Sequence, residues 1–318
     1  MLKLLKFLKN YRKESILSPV FKLVEVAFEL TIPLLVANII DRGIGLSDKP
    51  YIIKMSLLMV LFGVLGLACT LMAQYFAAKA SVGFATDVRK SLFDHISLLS
   101  FSQLDEMGAS TLITRMTGDI NQLQTGTNLT LRLALRSPFV VFGAVAMAFS
   151  VDPASAGVFA VTVPVLTVVV FAIMLSCIPL YKKVQQRLDG VVGKTRENLL
   201  GTRVIRAFCK EDEEIRDFKE KNDALTDMQI KVGKISSFMN PATFALINLG
   251  IVALIYVGAL RVDSGKISNG DIVALYNYMS QILIELIKLA GLIISLTKAI
   301  ACGNRIEAVL DIAPKTVS

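Results

Sequence analysis

The chain has 318 residues, 54% of them hydrophobic, with no tryptophan and a formal net charge of +8. A soluble domain of this length cannot hide so much apolar side chain, so the composition argues against that class and for a membrane protein. The charge does not call for nucleic acid, and no nucleic-acid partner is expected, because the cytoplasmic loops of membrane proteins collect Lys and Arg.

Residues 1–14, MLKLLKFLKNYRKE, form a unit of their own. On a helical wheel Leu4, Leu5, Phe7, Leu8 and Tyr11 share one face, and Lys3, Lys6, Lys9 and Lys13 share the other. That pattern predicts an amphipathic helix in the membrane interface leading into the first span, the alternative being a plain basic flank. Six apolar stretches follow, at about 16–40, 52–78, 130–150, 154–180, 242–262 and 272–300. Each can cross a hydrocarbon core, which takes roughly 20 helical residues. The first is too long for a cleaved signal peptide, carries Lys22, Glu25 and Glu29, and has no small-x-small cleavage site. The expected fold is an all-α membrane protein with six transmembrane helices. Residues 1–14, 79–137, 180–240 and 298–318 hold 27 of the 34 Lys and Arg, whereas the turns 41–51, 151–153 and 263–271 carry few. The positive-inside rule then puts both termini and both long loops in the cytoplasm, with the chain multi-pass in the cell membrane.

The two cytoplasmic loops are about fifty and nearly sixty residues long and contain none of the nine prolines. Loops of that length without structure are unusual, and Ala, Leu, Lys, Arg, Glu and Gln are common in both, so each is predicted as two helical arms running out and back. An arm of about 25 residues extends nearly 40 Å. Neither loop shows strand alternation or a dense core of its own, which argues against a pair of soluble domains. The first tip is expected at Ser102, Gln103, Leu104, Asp105 and Glu106, after which Gly108 breaks the helix and Ser110 caps the next. The second is expected as a short crossing segment at Gly201, Thr202, Arg203, Val204, Ile205, Arg206, Ala207 and Phe208. Its mixture of outward arginines and apolar side chains suits a docking knob, the alternative being a solvated helix face.

The segments FELTIPLLVANIIDRGI, STLITRMTGDINQLQ, RENLLGTRVIRAFCKEDEEIRDF and RIEAVLDIAP, in this order and spacing, resemble the transmembrane half of an ABC exporter, most of all the bacterial multidrug exporters that work as heterodimers. The resemblance covers nearly the whole chain. It implies an interfacial elbow helix at 1–14, a six-helix transmembrane domain over 15–303 with cytoplasmic helical extensions, and the start of a linker at 304–318. It implies a second half-transporter as partner, a heterodimer rather than a homodimer, and nucleotide-binding domains on which both tips rest as coupling helices. The fourth and fifth spans would cross to the partner, so that 201–208 docks on the partner's cassette. ATP would switch the pair from inward-facing to outward-facing and move a small molecule out of the cytoplasm.

One departure is large. The family's ATP-binding cassette is expected after NRIEAVLDIAPKTVS, where this sequence stops. The chain is then either a fragment of a longer half-transporter or a subunit served by a separate cassette, and the family's habit of fusing the two favours the fragment. A phosphate-cradling loop needs G-x-x-x-x-G-K-[ST]. Gly193-Lys194-Thr195 has Leu188 where the first glycine belongs, and Gly265-Lys266 is followed by Ile267 and preceded by Leu260. No catalytic residue is therefore expected, and ATP and Mg belong on the associated cassette. Metal chemistry is not expected either: His95 is the sole histidine, and Cys69, Cys177, Cys209 and Cys302 are far apart. Asn128-Leu129-Thr130 matches a glycosylation sequon on the wrong side of the membrane.

Ionisable groups inside a bilayer are costly and face a cavity or a partner. In the sixth span Asn277, Gln281 and Glu285 recur at i, i+4 and i+8, with Lys288 a turn further and Tyr276 and Tyr278 at the outer end. This stripe, joined by Glu29 of the first span, is the expected lining of a substrate cavity. Arg132 and Arg136 are placed to neutralise Glu29 and Glu25. The alternative is that Glu285 pairs with Lys288, and Glu25 with Lys22, for structural reasons. A mixed apolar, aromatic and acidic lining suits amphipathic compounds. A secondary transporter or channel is the runner-up, disfavoured by the absence of an internal repeat and by the long arms. A third reading is a non-transporting membrane scaffold.

Overall fold

The structure, a computed structural model, describes residues 3–314. Met1 and Leu2 of the expected elbow helix and residues 315–318 of the expected linker lie outside the described residues. Among the described residues, six helical stretches are long and apolar enough to cross a membrane: Leu5–Ile44, Lys49–Ser97, Ala109–Val151, Pro153–Ala207, Glu211–Asp263 and Asn269–Leu310. Each contains one of the six expected spans, and there is no strand among the described residues.

The first stretch consists of α1 (Leu5–Leu8), a 3-10 turn (Lys9–Tyr11), α2 (Arg12–Asn38) and a π-helical turn (Ile39–Ile44). The second is the single helix α3 (Lys49–Ser97), followed by the short α4 (Phe101–Met107). The third joins α5 (Ala109–Thr114), a second π-helical turn (Arg115–Asp119), α6 (Ile120–Leu133) and α7 (Arg136–Val151). α8 (Pro153–Ala207) runs 55 residues, roughly 80 Å at 1.5 Å per residue. It is followed by α9 (Glu211–Ser237), α10 (Met239–Asp263) and α11 (Asn269–Leu310). Span and arm are thus one helix in α3, α8 and α11; α8 runs on through Pro164 and through Pro179 at the edge of its expected span.

The chain divides into two compact units, one made of Met1–Ala160 with Ile251–Ser318, the other of Val161–Gly250. In the first, α2 packs along α3 with Phe21 stacked on Phe76 at 5.9 Å between ring centroids and Phe28 tilted on Phe62 at 5.3 Å. α11 lies against α6, α7 and α2. The most apolar stretch of α3 has none of its residues buried within the chain, so lipid or another chain must cover it. A core also forms beyond the apolar spans, from Leu4, Phe84, Val88, Leu92, Ile120 and Ile306 with their neighbours. The first pair of arms therefore does share a dense core, one built jointly with the chain's two ends. In the second unit, Lys194 of α8 is buried in ion pairs with Glu214 at 2.6 Å and Asp217 at 2.8 Å, which staple the two arms together.

The start of α8 is held by Asp152. Pro153 fills the first helical position, where a missing N–H does no harm. The buried Asp152 carboxylate accepts from Ser155 N at 2.9 Å, from Ser155 Oγ at 2.7 Å and from Arg261 Nη2 at 2.5 Å. Burial alone would raise this carboxyl, but the bonds from Arg261 and Ser155 outweigh it and hold it down at about 2. A depressed folded pKa contributes stability that is present above the ordinary value of 3.8 and lost as pH falls through about 2. The melting-temperature gap between wild type and Asp152→Asn is therefore expected to be constant above pH 5 and to narrow steadily below pH 4. A gap of the same size at pH 6 and pH 2.5 would contradict this.

Candidate functional site

Charged residues of three spans meet in one network around the buried Arg136 and Glu285. α7 begins at Arg136, which puts its side chain between α2 and α11. Its Nη1 donates to Glu285 Oε1, its Nη2 donates to Glu29 Oε2 at 2.7 Å, and Glu25 lies 3.9 Å away. Ser137 Oγ donates to Glu285 Oε2 at 3.0 Å, and Lys288 Nζ sits 2.8 Å from Glu285 Oε1. Lys22 donates to Glu25 at 2.5 Å. Three cations and three carboxylates thus neutralise one another across three helices. A carboxylate in a low-dielectric interior persists only when paired and hydrogen-bonded, and Glu285, 3% exposed, meets that condition.

The expected stripe on the sixth span is accordingly divided. Glu285 is buried in the network rather than open to a cavity, and Lys288 beside it is exposed. The Glu285–Lys288 and Lys22–Glu25 pairs given as the alternative are both formed. Asn277 is half-buried and its Nδ2 donates to Val273 O of its own helix at 3.0 Å. Gln281 is half-buried, with Oε1 buried and unpartnered. Of the two tyrosines, Tyr276 is exposed, whereas Tyr278 is fully buried and donates to Leu30 O at 2.7 Å. Arg136 neutralises Glu29 as expected; Arg132 forms no ion pair with either glutamate, and its buried Nε has no partner.

The first tip forms a helix of its own, α4. Ser100 caps it: Ser100 Oγ accepts from Gln103 N, while Gln103 Oε1 accepts from Ser100 N at 3.1 Å. Gly108 ends the helix at φ 77°, a left-handed value that glycine adopts without strain. Ser110 does not cap the next helix; α5 starts directly after Gly108, and the Ser110 carbonyl instead accepts from Thr114. Ser102, Asp105 and Glu106 are exposed beside Phe101, which is 86% exposed, whereas Leu104 turns toward the core and Gln103 is buried. Gln103 Nε2 donates to Ala313 O at 2.9 Å, and His95 Nε2 lies 3.0 Å from Ile312 O, so the closing segment is fastened to this tip.

The second tip differs from its expected form. Residues 201–207 are the last two turns of α8, not a separate crossing segment, and the chain reverses at Phe208–Lys210 with Cys209 at φ 51°. A single Gly201 costs a helix only about 1 kcal/mol, which the flanking helix formers outweigh, and Thr202 Oγ1 bonds back to Asn198 O at 2.8 Å. Arg203, Val204, Arg206, Ala207 and Phe208 are exposed, Phe208 at 73%, while Gly201, Thr202 and Ile205 are half-buried.

Four residues inside the recognised motifs were not singled out from sequence. Each π-helical turn presents one aspartate to an end of α11. Asp41 accepts from Ser268 Oγ at 2.5 Å and Gly270 N at 2.9 Å at one end; Asp119 accepts from Arg305 Nη2 at 2.5 Å and Nε at 2.9 Å at the other, with Arg115 also on it at 2.8 Å. π-turns recur at functional sites because the extra residue re-aims a side chain. A charge in the middle of IIDRGI was the available signal.

The family model of the ABC transporter transmembrane region matches residues 15–286. An uncharacterized ABC transporter ATP-binding protein of Mycobacterium tuberculosis is 32% identical over 96% of this chain and 52% of its own length. Another, of Bacillus subtilis, is 32% identical over 98% of this chain and 54% of its own length. A fatty acid ABC transporter ATP-binding/permease protein of Mycobacterium bovis is 29% identical over 73% of this chain and 36% of its own length. The chain thus spans about half the length of the first two of these relatives.

Proposed function

The chain belongs to the ABC transporter transmembrane family, and from that premise we propose that it is the moving and gating half of an ATP-driven exporter. Two such six-helix halves pair, a heterodimer in preference to a homodimer. Nucleotide-binding domains carrying ATP and Mg dock on the two tips, both termini face the cytoplasm of the cell membrane, and alternating access carries an amphipathic small molecule outward. The residues at 1–14 act as the elbow helix, 15–303 as the transmembrane domain and 304–318 as the start of the linker. The observation that carries the reading is the exposure of Phe101 with Ser102, Asp105 and Glu106 on one tip, and of Phe208 with Arg203 and Arg206 on the other. Large aromatics held in water beside charge at helix ends suit docking onto another folded surface.

For the substrate, Glu29, Asn277 and Gln281 remain the candidates with open sides, Gln281 supported by its unpartnered Oε1. Glu285 and Lys288 hold the wall behind them. The fatty-acid transporter among the relatives fits an amphipathic cargo with an acyl chain.

The test uses the assembled transporter with its cassettes and its four native cysteines replaced. Single cysteines at Asp105 and Arg203 are expected to crosslink to a nucleotide-binding domain, the Arg203→Cys link joining the partner's cassette. Failure of both to reach any cassette would remove the coupling assignment.

A further inference from the structure

The N-terminal segment forms one side of an open apolar cavity. Leu5 and Leu8 form one wall, Leu131 on the third span a second, and Leu296, Ala299 and Ile300 at the end of the sixth span a third, around a half-open space of about 360 Å³. Thr127 and Thr130 also face it, but their hydroxyls are turned back onto the carbonyls of Leu123 at 2.9 Å and Gly126 at 2.7 Å. The lining is therefore carbon almost throughout. Such a lining offers water no hydrogen-bond partners.

The wall that carries Leu5 and Leu8 is firmly held. Leu4 is buried in the arm core, Tyr11 packs on Gly83, Asn10 Nδ2 donates to Asp87 at 3.1 Å, and Glu14 pairs with Lys79 at 3.0 Å. Its charge is not balanced. Lys3 pairs with Asp311, but Lys6, Lys9, Arg12 and Lys13 are exposed and form no ion pair among the described residues. Four uncompensated cations therefore stand on the same short segment as the apolar wall, where one apolar span begins and another ends.

We propose that this cavity holds one acyl chain of an anionic membrane phospholipid whose headgroup rests on Lys6, Lys9, Arg12 and Lys13. Apolar walls select a hydrocarbon chain, the exposed cations on the segment that carries Leu5 and Leu8 select a negative headgroup, and the position at the membrane edge supplies both from one molecule. The site rests on the multi-pass fold and not on the coupling assignment, so the two fail independently.

The assembled transporter, reconstituted with phosphatidylglycerol or phosphatidylcholine bearing a photoreactive acyl chain, tests this. Labelling is expected at residues 127–131 and 296–300, stronger with phosphatidylglycerol on the order of tenfold, given the attraction of each cation for an acidic headgroup. Lys6→Gln with Lys9→Gln, both on the surface, is expected to bring the two lipids close to parity. Thr127→Leu, which fills the cavity, is expected to abolish labelling there. Soluble glycerol phosphate should not compete, because the chain supplies the apolar part. Equal labelling by both lipids in the wild type, competition by glycerol phosphate, or labelling absent from these residues because another chain covers them, would each overturn the proposal.

Discussion

Arg136→Gln is expected to be among the most destabilising single substitutions in this chain, lowering stability by about 3–5 kcal/mol, because it leaves a buried carboxylate system one positive charge short. Arg136 serves Glu285 and Glu29 at once through different guanidinium nitrogens. Lys288 remains on Glu285 and Lys22 on Glu25, so no spare cation is at hand for Glu29. Arg136→Lys should restore little, since an ammonium is a point charge and lacks the planar fork that spans two carboxylates. Pairing Arg136→Gln with Glu285→Gln should recover part of the loss, with a coupling of about 0.5–3 kcal/mol between the two sites. Thermal unfolding of the detergent-solubilised protein measures all four variants, and additivity of the two glutamine substitutions would remove the network as a unit. The same series separates wall from substrate path. Glu29 has a third of its side chain open, so Glu29→Gln is expected to alter substrate affinity or range while changing stability less than Arg136→Gln. Unchanged affinity and range in Glu29→Gln would remove this position from the path.

Gly270→Ala is expected to lower stability by about 1–3 kcal/mol through overpacking. A methyl group at Gly270 would lie 2.4 Å from the Ala37 carbonyl oxygen and 2.5 Å from Asp41 Oδ2. The first of these is backbone, which cannot swing aside. Relief requires α11 to move away from the end of α2, which stretches the bonds from Ser268 and Gly270 to Asp41. Gly291→Ala on the same helix is the control, because a methyl there meets nothing within 4 Å. It is expected to be neutral or stabilising, by up to about 1 kcal/mol from helix propensity. Equal melting temperatures for the two alanine variants would show that the close approach carries no energy.

The two substitutions bear on different amounts of sequence information. Glu285, Arg136 and Glu29 were visible as charges inside apolar stretches, because burying an ionisable group in hydrocarbon is expensive enough to flag it on sight. Which of them met was not visible, and the expected cavity stripe came out as two half-open amides above a closed ion network. Gly270 offered no signal beyond following a capping serine. Its importance comes from the nearness of Ala37, more than two hundred residues earlier.

Six spans, the helical arms and the approximate tips were legible because they depend on local terms: apolar run length, the absence of proline, and the helix break at Gly108; the cap was expected at Ser110 and is made by Ser100. The second tip was expected as a short crossing segment, whereas the helix formers around Gly201 and Thr202 carry α8 through to Ala207. Tertiary structure alone decided the rest. It brought Asp41 and Asp119 to opposite ends of α11, bound Gln103 to Ala313, and gathered Leu4, Phe84 and Ile306 into one core. Contacts between residues so far apart leave no periodicity in the sequence. They arise only when whole helices, already formed, choose which of their faces to bury together.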